Sequence, residues 1–288
     1  MRVLVLGATG MLGTDLLDEW HKAEPGKQEG QLDELIAADS ADADLRDAAQ
    51  VDQIIQKSRP NWVIVCAAYT DVDGCEKNRE LAFAVNATGV ANVARSAETI
   101  GARVFLVSTD YVFDGEGTRP YETNEPVAPI NVYGASKAAG EEALRKNSQA
   151  WCIGRTSWLF GVHGPSFPEK ILKAAQTRPE LSVVNDQVGS PTYTRDLAHA
   201  IRDLVRKDAR GIVHINNEGL CSWFDFAKEI LAQSGRGSIP VHPISTDQSA
   251  RPARRPKYSV MSPASLHAYG LRLRPWQEAL TAFLKESR

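Results

Sequence analysis

The sequence predicts an α/β fold, a doubly wound parallel sheet with a smaller C-terminal lobe. Three observations carry that expectation. Short, continuous apolar runs alternate with helix-period patterns through the first half of the chain. A glycine-rich turn, Gly7-Ala8-Thr9-Gly10-Met11-Leu12-Gly13, joins the first run to the first helix. Past Arg155 the texture changes, with Pro165, Pro168, Pro179 and Pro191 interrupting short segments.

The elements follow in order. Arg2–Leu6 reads as a strand and Met11–Trp20 as a helix. Leu35–Ala38 is a second strand with Asp39 at its end, followed by a helix over Ala48–Gln56. Trp62–Ala67 is a third strand. One long helix is expected over Arg79–Ile100, where Leu81, Val85, Ala91, Ala94 and Ala97 mark an apolar face. Val104–Val107 and Trp151–Gly154 complete a set of strands too continuously apolar to be half exposed. The sheet is therefore expected to be covered on both faces, with right-handed crossovers. A helix at Thr194–Val205 and a strand at Gly211–Ile215 return to it. On this reading residues 1–156, rejoined by 182–216, form a Rossmann-type dinucleotide-binding domain. Residues 157–181 and 217–288 form a substrate-binding lobe. Pro25–Gln31 is the one biased stretch and reads as a surface loop.

The chain has 288 residues, a net charge of −3 and 43 % hydrophobic residues, enough to bury a full core. Near-neutral charge leaves no electrostatic footprint for nucleic acid or an acidic membrane. The apolar run at the N-terminus is too short for a signal sequence, and no stretch approaches the ~20 apolar residues that span a bilayer. Cys66, Cys75, Cys152 and Cys221 show neither a C-x-x-C pair nor zinc spacing. Cys66 and Cys152 fall in expected buried strands, as small apolar filler. A cytoplasmic protein is expected, with no nucleic-acid or membrane partner and no metal.

Gly7, Gly10 and Gly13 permit a tight turn and close approach of the backbone to a pyrophosphate, which the helix N-terminus favours electrostatically. Their spacing departs from G-x-G-x-x-G. Asp39 stands where a carboxylate accepts hydrogen bonds from a ribose, although a solvated turn would place it there too. A carboxylate there would repel a 2′-phosphate, favouring NADH over NADPH, a preference that nearby Arg46 would soften. Ala67-Ala68-Tyr69 keeps bulk small beside the cofactor; for Tyr69, ordinary loop packing serves equally.

The chemistry concentrates in Ser108-Thr109-Asp110-Tyr111, ending an apolar run, and Tyr133-Gly134-Ala135-Ser136-Lys137, opening a helix. A tyrosine and a lysine four apart share a helix face, so the ammonium can sit close to the phenol or to a group both touch. At ~4 Å in a partly dry site a cation favours phenolate by up to about 4 kcal/mol, or roughly three pKa units. With the Thr109 hydroxyl, the pair can hold and protonate a carbonyl oxygen. Isolated, such a pair is a helix-surface accident; its context gives it meaning.

That context is a series of ordered motifs. The glycine loop is followed by Cys66-Ala67-Ala68-Tyr69-Thr70-Asp71-Val72-Asp73 and Asn86-Ala87-Thr88. Then come Ser108-Thr109-Asp110-Tyr111-Val112-Phe113-Asp114-Gly115, Tyr133–Lys137, Arg155-Thr156-Ser157-Trp158 and Asp186-Gln187-Val188-Gly189-Ser190-Pro191-Thr192. The chain resembles the extended short-chain dehydrogenase/reductase superfamily and, within it, the dTDP-4-dehydrorhamnose reductase family. The likeness runs from the first strand to Thr192, returns at Arg254-Arg255-Pro256 and fades in the last thirty residues.

The resemblance implies NAD(P)H-dependent reduction of the C4 carbonyl of dTDP-4-dehydro-L-rhamnose. It implies that Gly10, Met11 and Leu12 wrap the pyrophosphate, that Asp39 binds the ribose, and that Asp44 and Leu45 flank the adenine. Ala67, Ala68 and Tyr69 would line the middle of the cofactor. Tyr133 would donate the proton, and Lys137 would hold the nicotinamide ribose and lower the phenol pKa. Thr109 would hydrogen-bond the sugar carbonyl, Asp110 would contact the substrate, and Trp158 would pack on the sugar or its pocket wall. Arg254 and Arg255 suit a substrate diphosphate, since guanidinium forks match phosphate oxygens. Arg155 reads as a structural residue at a strand end. The resemblance allows a homodimer. Some reductases of this type bridge subunits through magnesium, but Glu19 stands without a visible ligand cluster.

Rival readings are an epimerase or another nucleotide-sugar reductase, and a non-catalytic regulatory subunit of S-adenosylmethionine synthetase. Dehydration needs an acidic pair beside the threonine. Asp110 is followed by Tyr111, so only one carboxylate is present.

Overall fold

The computed structural model describes residues 1–21 and 33–287; the Pro25–Gln31 stretch lies outside the described residues. Its first half runs β1 (Arg2–Leu6), α1 (Met11–His21), β2 (Glu34–Ala38), α2 (Ala48–Ser58), β3 (Trp62–Val65), α3 (Val72–Lys77), α4 (Arg79–Phe83), α5 (Gly89–Thr99), β4 (Arg103–Thr109), α6 (Val132–Asn147) and β5 (Trp151–Thr156). The second half runs β6 (Leu159–Phe160), α7 (Phe167–Ala174), β7 (Leu181–Val184), β8 (Val188–Gly189), β9 (Thr192–Tyr193), α8 (Thr194–Arg206), β10 (Gly211–His214), β11 (Cys221–Ser222), α9 (Trp223–Gln233), β12 (Val241–Ile244), α10 (Thr246–Ser249), α11 (Ala264–His267) and α12 (Trp276–Glu286).

Six strands form one parallel sheet in the order β10-β5-β4-β3-β1-β2. Residues such as Val3–Val5, Val63–Val65, Val104 and Phe105 are wholly buried because helices cover both faces. On one face α1 packs against α8 over Val3, Val5, Ile64 and Phe105. On the other, α2, α5 and α6 cover Leu4, Leu6, Val63 and Leu106. The strand order reverses direction between β1 and β3, and ligands of doubly wound sheets bind outside the carboxyl ends at such a point.

Two expected elements differ. The third strand stops at Val65, because the amides of Cys66 and Ala67 both turn to the carbonyl of Leu6, at 2.9 and 3.0 Å, and leave the ladder. The single helix over Arg79–Ile100 is broken into α4, a π-helical turn at Ala84–Thr88, and α5. An apolar period cannot reveal that wider turn, which tertiary hydrogen bonds to Asn86 hold in place.

The remaining segments gather over the carboxyl edge of the sheet as two-stranded pairs, β6–β9, β7–β12 and β8–β11, and the helices α7, α9 and α12. Their core is aromatic: Phe160, Tyr193, Phe226, Trp276 and Phe283 are buried in mutual contact. Among the described residues, no helix is long and apolar enough to cross a membrane.

Candidate active site

The glycine loop lies at the switch point. Gly7 has φ +84°, and a Cβ there would lie 2.6 Å from the amide nitrogen of Ala67. At Gly13 a Cβ would come within 2.2 Å of the Gly7 carbonyl, so bare backbone is what lets α1 start against β1 and β3. The first-turn amides of α1 have no intrahelical acceptors and face the loop. Asp39 ends β2, half-buried, and its Oδ1 accepts the Ala41 amide at 2.8 Å. Arg46 turns to Asp44, its Nη2 donating to Oδ2 at 2.5 Å, which holds the Asp44 carboxyl below the usual range. Leu45 is buried against Gly89, its carbonyl taken by Asn92 at 2.9 Å. These residues fit a dinucleotide: a cradle that side chains would fill, unpaired helix amides and a carboxylate at the next strand end.

The side chains expected to react meet at the end of β4 and the start of α6. The Thr109 hydroxyl donates to Asp110 Oδ1 at 3.0 Å and also hydrogen-bonds the Tyr133 hydroxyl. Tyr111 packs edge-on to Tyr133 with ring centroids 5.7 Å apart. Burial raises the Tyr133 phenol above its ordinary value; the Thr109 hydrogen bond opposes this, and the charges of Asp110 and Cys75 add to it. Burial likewise pushes Asp110 up to about 6. Hydrogen bonds to the Ser259 and Thr109 side chains oppose that rise. Lys137 is 4 % exposed and donates from Nζ to the Val107 carbonyl at 2.7 Å. Burial lowers it to about 8. The lysine thus anchors on the neighbouring strand, and desolvation, not its ammonium, dominates the phenol.

The match to a family model decides the relationship: the RmlD substrate binding domain model spans residues 1–288. The chain belongs to the dTDP-4-dehydrorhamnose reductase family. It is 40 % identical over 285 residues to a spore coat polysaccharide biosynthesis protein of Bacillus subtilis, covering 99 % of this chain and 97 % of that protein. It is 39 % identical over 290 residues to the dTDP-4-dehydrorhamnose reductase of Mycobacterium tuberculosis, covering 98 % and 92 %. The crystal structure of the Bacillus anthracis dTDP-4-dehydrorhamnose reductase in complex with NADP superposes with a TM-score of 0.92 at 40 % identity, covering 99 % of each chain.

In this member of the dTDP-4-dehydrorhamnose reductase family, the other expected site residues have distinct surroundings. Trp158 takes a left-handed φ of 49°, rare for a bulky residue, and stacks on Trp223 with centroids 3.6 Å apart. Arg255 grips Asp73 at 2.6 and 2.9 Å and also reaches Tyr111. Arg254 is exposed, its carbonyl taken by Asn131 at 2.8 Å. Ala67 and Ala68 are half-buried where the chain leaves β3, and Tyr69 follows them.

Sequence reasoning missed the role of Asn86. Its amide group holds both the N–H and the carbonyl of Tyr69, at 2.8 and 3.0 Å, and donates at 2.9 Å to Ser136, the residue before Lys137. The motif Asn86-Ala87-Thr88 was its only signal. It also missed a group that joins α1 to a loop remote in sequence: ligand atoms of Asp15, Asp18 and His163 lie within 4.8 Å of one another. Arg195 already faces this group, 3.8 Å from Asp15.

Proposed function

We propose that the chain reduces the C4 carbonyl of dTDP-4-dehydro-L-rhamnose to the hydroxyl of dTDP-L-rhamnose. Family membership supports the substrate class. The meeting of the Thr109 and Tyr133 hydroxyls, with buried Lys137 one turn along α6 from Tyr133, carries the reaction type. Residues Gly7, Gly10, Met11, Leu12 and Gly13 would hold the pyrophosphate, and Asp39, Asp44 and Leu45 the adenosine end. Ala67, Ala68, Tyr69 and Lys137 would hold the nicotinamide end. When bound, a reduced nicotinamide cofactor supplies the hydride. NADH is favoured, because Asp39 opposes a 2′-phosphate and Arg46 is engaged by Asp44.

Thr109 and Tyr133 direct their hydroxyls at one carbonyl oxygen as negative charge builds on it, the kind of stabilisation that is usually largest. Tyr133 begins as a neutral phenol, so it has a proton to give. The proton passes to the sugar oxygen as the C4–H bond forms, and a phenolate is left on Tyr133. Lys137, charged below about pH 8, steadies that phenolate and the ribose beside it. Trp158 and Trp223 offer a stacked wall for the sugar, and Arg254 and Arg255 offer guanidinium groups for the diphosphate.

The test is oxidation of NADH and NADPH, followed by absorbance, on adding the keto sugar made in situ. Turnover with NADH exceeding that with NADPH is expected. No oxidation with either cofactor would refute the reading.

A further inference from the structure

We propose that Glu141 is a positioning residue for this reaction: it clamps the end of β4 through Ser108 and Arg155 and faces the Lys137 ammonium with a fixed negative charge. The proposal rests on the reductase reading of the same site.

Glu141 lies one turn beyond Lys137 on the same face of α6 and is 1 % exposed. Its Oε1 accepts Ser108 Oγ at 2.6 Å and Arg155 Nε at 2.9 Å, and its Oε2 accepts Arg155 Nη2 at 2.7 Å. Ser108 and Arg155 are register partners across β4 and β5, one residue before Thr109 and Thr156. One carboxylate therefore ties three elements at the level where Thr109 emerges.

This arrangement is a costly way merely to fill space. Arg155 is 2 % exposed and its Nη1 has no hydrogen-bond partner. A buried ion pair is often replaceable by well-packed apolar residues without loss of stability. The groups acting on Lys137 explain its use. Glu141 on α6 and Cys66 after β3 face the ammonium. Beyond Glu141 stand Arg155 on β5 and His214 on β10. The His214 ring is buried and pushed down to about 3 by burial and by Arg155, against hydrogen bonds to the Ser262 and Tyr121 backbone, so it stays neutral. The Cys66 thiol is pushed up to about 12 by burial and stays neutral too. Near neutral pH, Glu141 is thus the group that opposes desolvation of Lys137. Arg155 holds that carboxylate in place through two hydrogen bonds.

The decisive variant is Glu141→Gln combined with Arg155→Met, which removes both charges without stranding either and keeps an acceptor for Ser108. Wild type and variant are compared by thermal melt, by the pH profile of kcat/KM with the keto sugar, and by NADH affinity against pH from fluorescence. Affinity needs no sugar, so it reports on Lys137 even if the substrate reading fails. That failure would show separately, as a wild type that binds NADH but never oxidises it. A folded double variant is expected whose alkaline limb, in both profiles, lies about one unit lower. Glu141→Asp, which retains the charge, is expected to restore the wild-type limb. Ser108→Ala leaves the ion pair in place and is expected to lower kcat severalfold with an unmoved limb and unchanged NADH affinity. A folded double variant with both limbs at the wild-type pH overturns the proposal. If the double variant does not fold, Ser108→Ala decides, and a kcat within twofold of wild type overturns it.

Discussion

Tyr133 is a neutral phenol at neutral pH, and burial pushes it further up than its hydrogen bond to Thr109 pulls it down. The proposed proton transfer needs that state, since the proton must be present before the oxygen becomes basic. Replacing Tyr133 by Phe is expected to leave NADH affinity intact and to lower kcat by roughly 10²–10⁴, the usual worth of a positioned acid. Single-turnover rates and a fluorescence titration check the two halves. Asp110 carries a separate signature. Its folded pKa, about 6, lies above the ordinary carboxylate value, so the folded state holds the extra proton as pH rises from 4 to 6. Stability attributable to this group is therefore lost across that window, by up to about 3 kcal/mol. Asp110→Asn is expected to flatten the fall in melting temperature between pH 4 and 7, measured by calorimetry. Tyr133, Lys137 and Thr109 were legible because their spacing encodes a shared helix face and a strand end. The direction of the Tyr133 shift was not, because desolvation depends on neighbours such as Cys75 that are distant in sequence.

Helix α6 presents Tyr133 and Lys137 one turn apart, but it is Asn86 that fixes the helix against the loop at Tyr69. Asn86 is 1 % exposed and sits in the π turn between α4 and α5. Asn86→Ala strands buried backbone groups of Tyr69, and a loss of roughly 2–3 kcal/mol is expected from urea denaturation. A fall in kcat should accompany it. At the glycine loop, Gly13→Ala drives a methyl into the Gly7 carbonyl. Overpacking of this sort costs typically ~1–3 kcal/mol, so NADH affinity should drop at least tenfold or the protein should melt earlier. The strands and the first helices were readable from apolar period and glycine placement. The break in the helix over Arg79–Ile100 was not, because a π turn leaves the apolar pattern nearly unchanged.

The molecule brings two regions together over the carboxyl ends of one sheet. Asp73 on α3 holds Arg255, three residues before the Tyr258 that bridges to Val188 of β8 and to Glu116, and Arg255 also hydrogen-bonds Tyr111. Trp158, just past β5, lies flat on Trp223 at the start of α9. Truncating Trp223 to Ala removes the partner that supports the strained Trp158 backbone. A stacked aromatic pair contributes ~0.5–1.5 kcal/mol beyond buried area, so KM for the sugar should rise roughly two- to tenfold. NADH affinity should stay unchanged, which a parallel fluorescence titration checks.

Local chemistry written in the chain was enough to specify strand–helix alternation, the glycine loop, the Tyr133–Lys137 face and family membership. Each depends on neighbours within a few residues or on ordered motifs. Only the folded chain decided what surrounds those groups: Arg155 on Glu141 behind Lys137, Asn86 under Tyr69, Trp223 on Trp158, and Asp73 on Arg255. Their partners lie 14 to 182 positions apart. Burial and pairing at such separations arise from packing, and packing sets the dielectric in which each charge and proton resides.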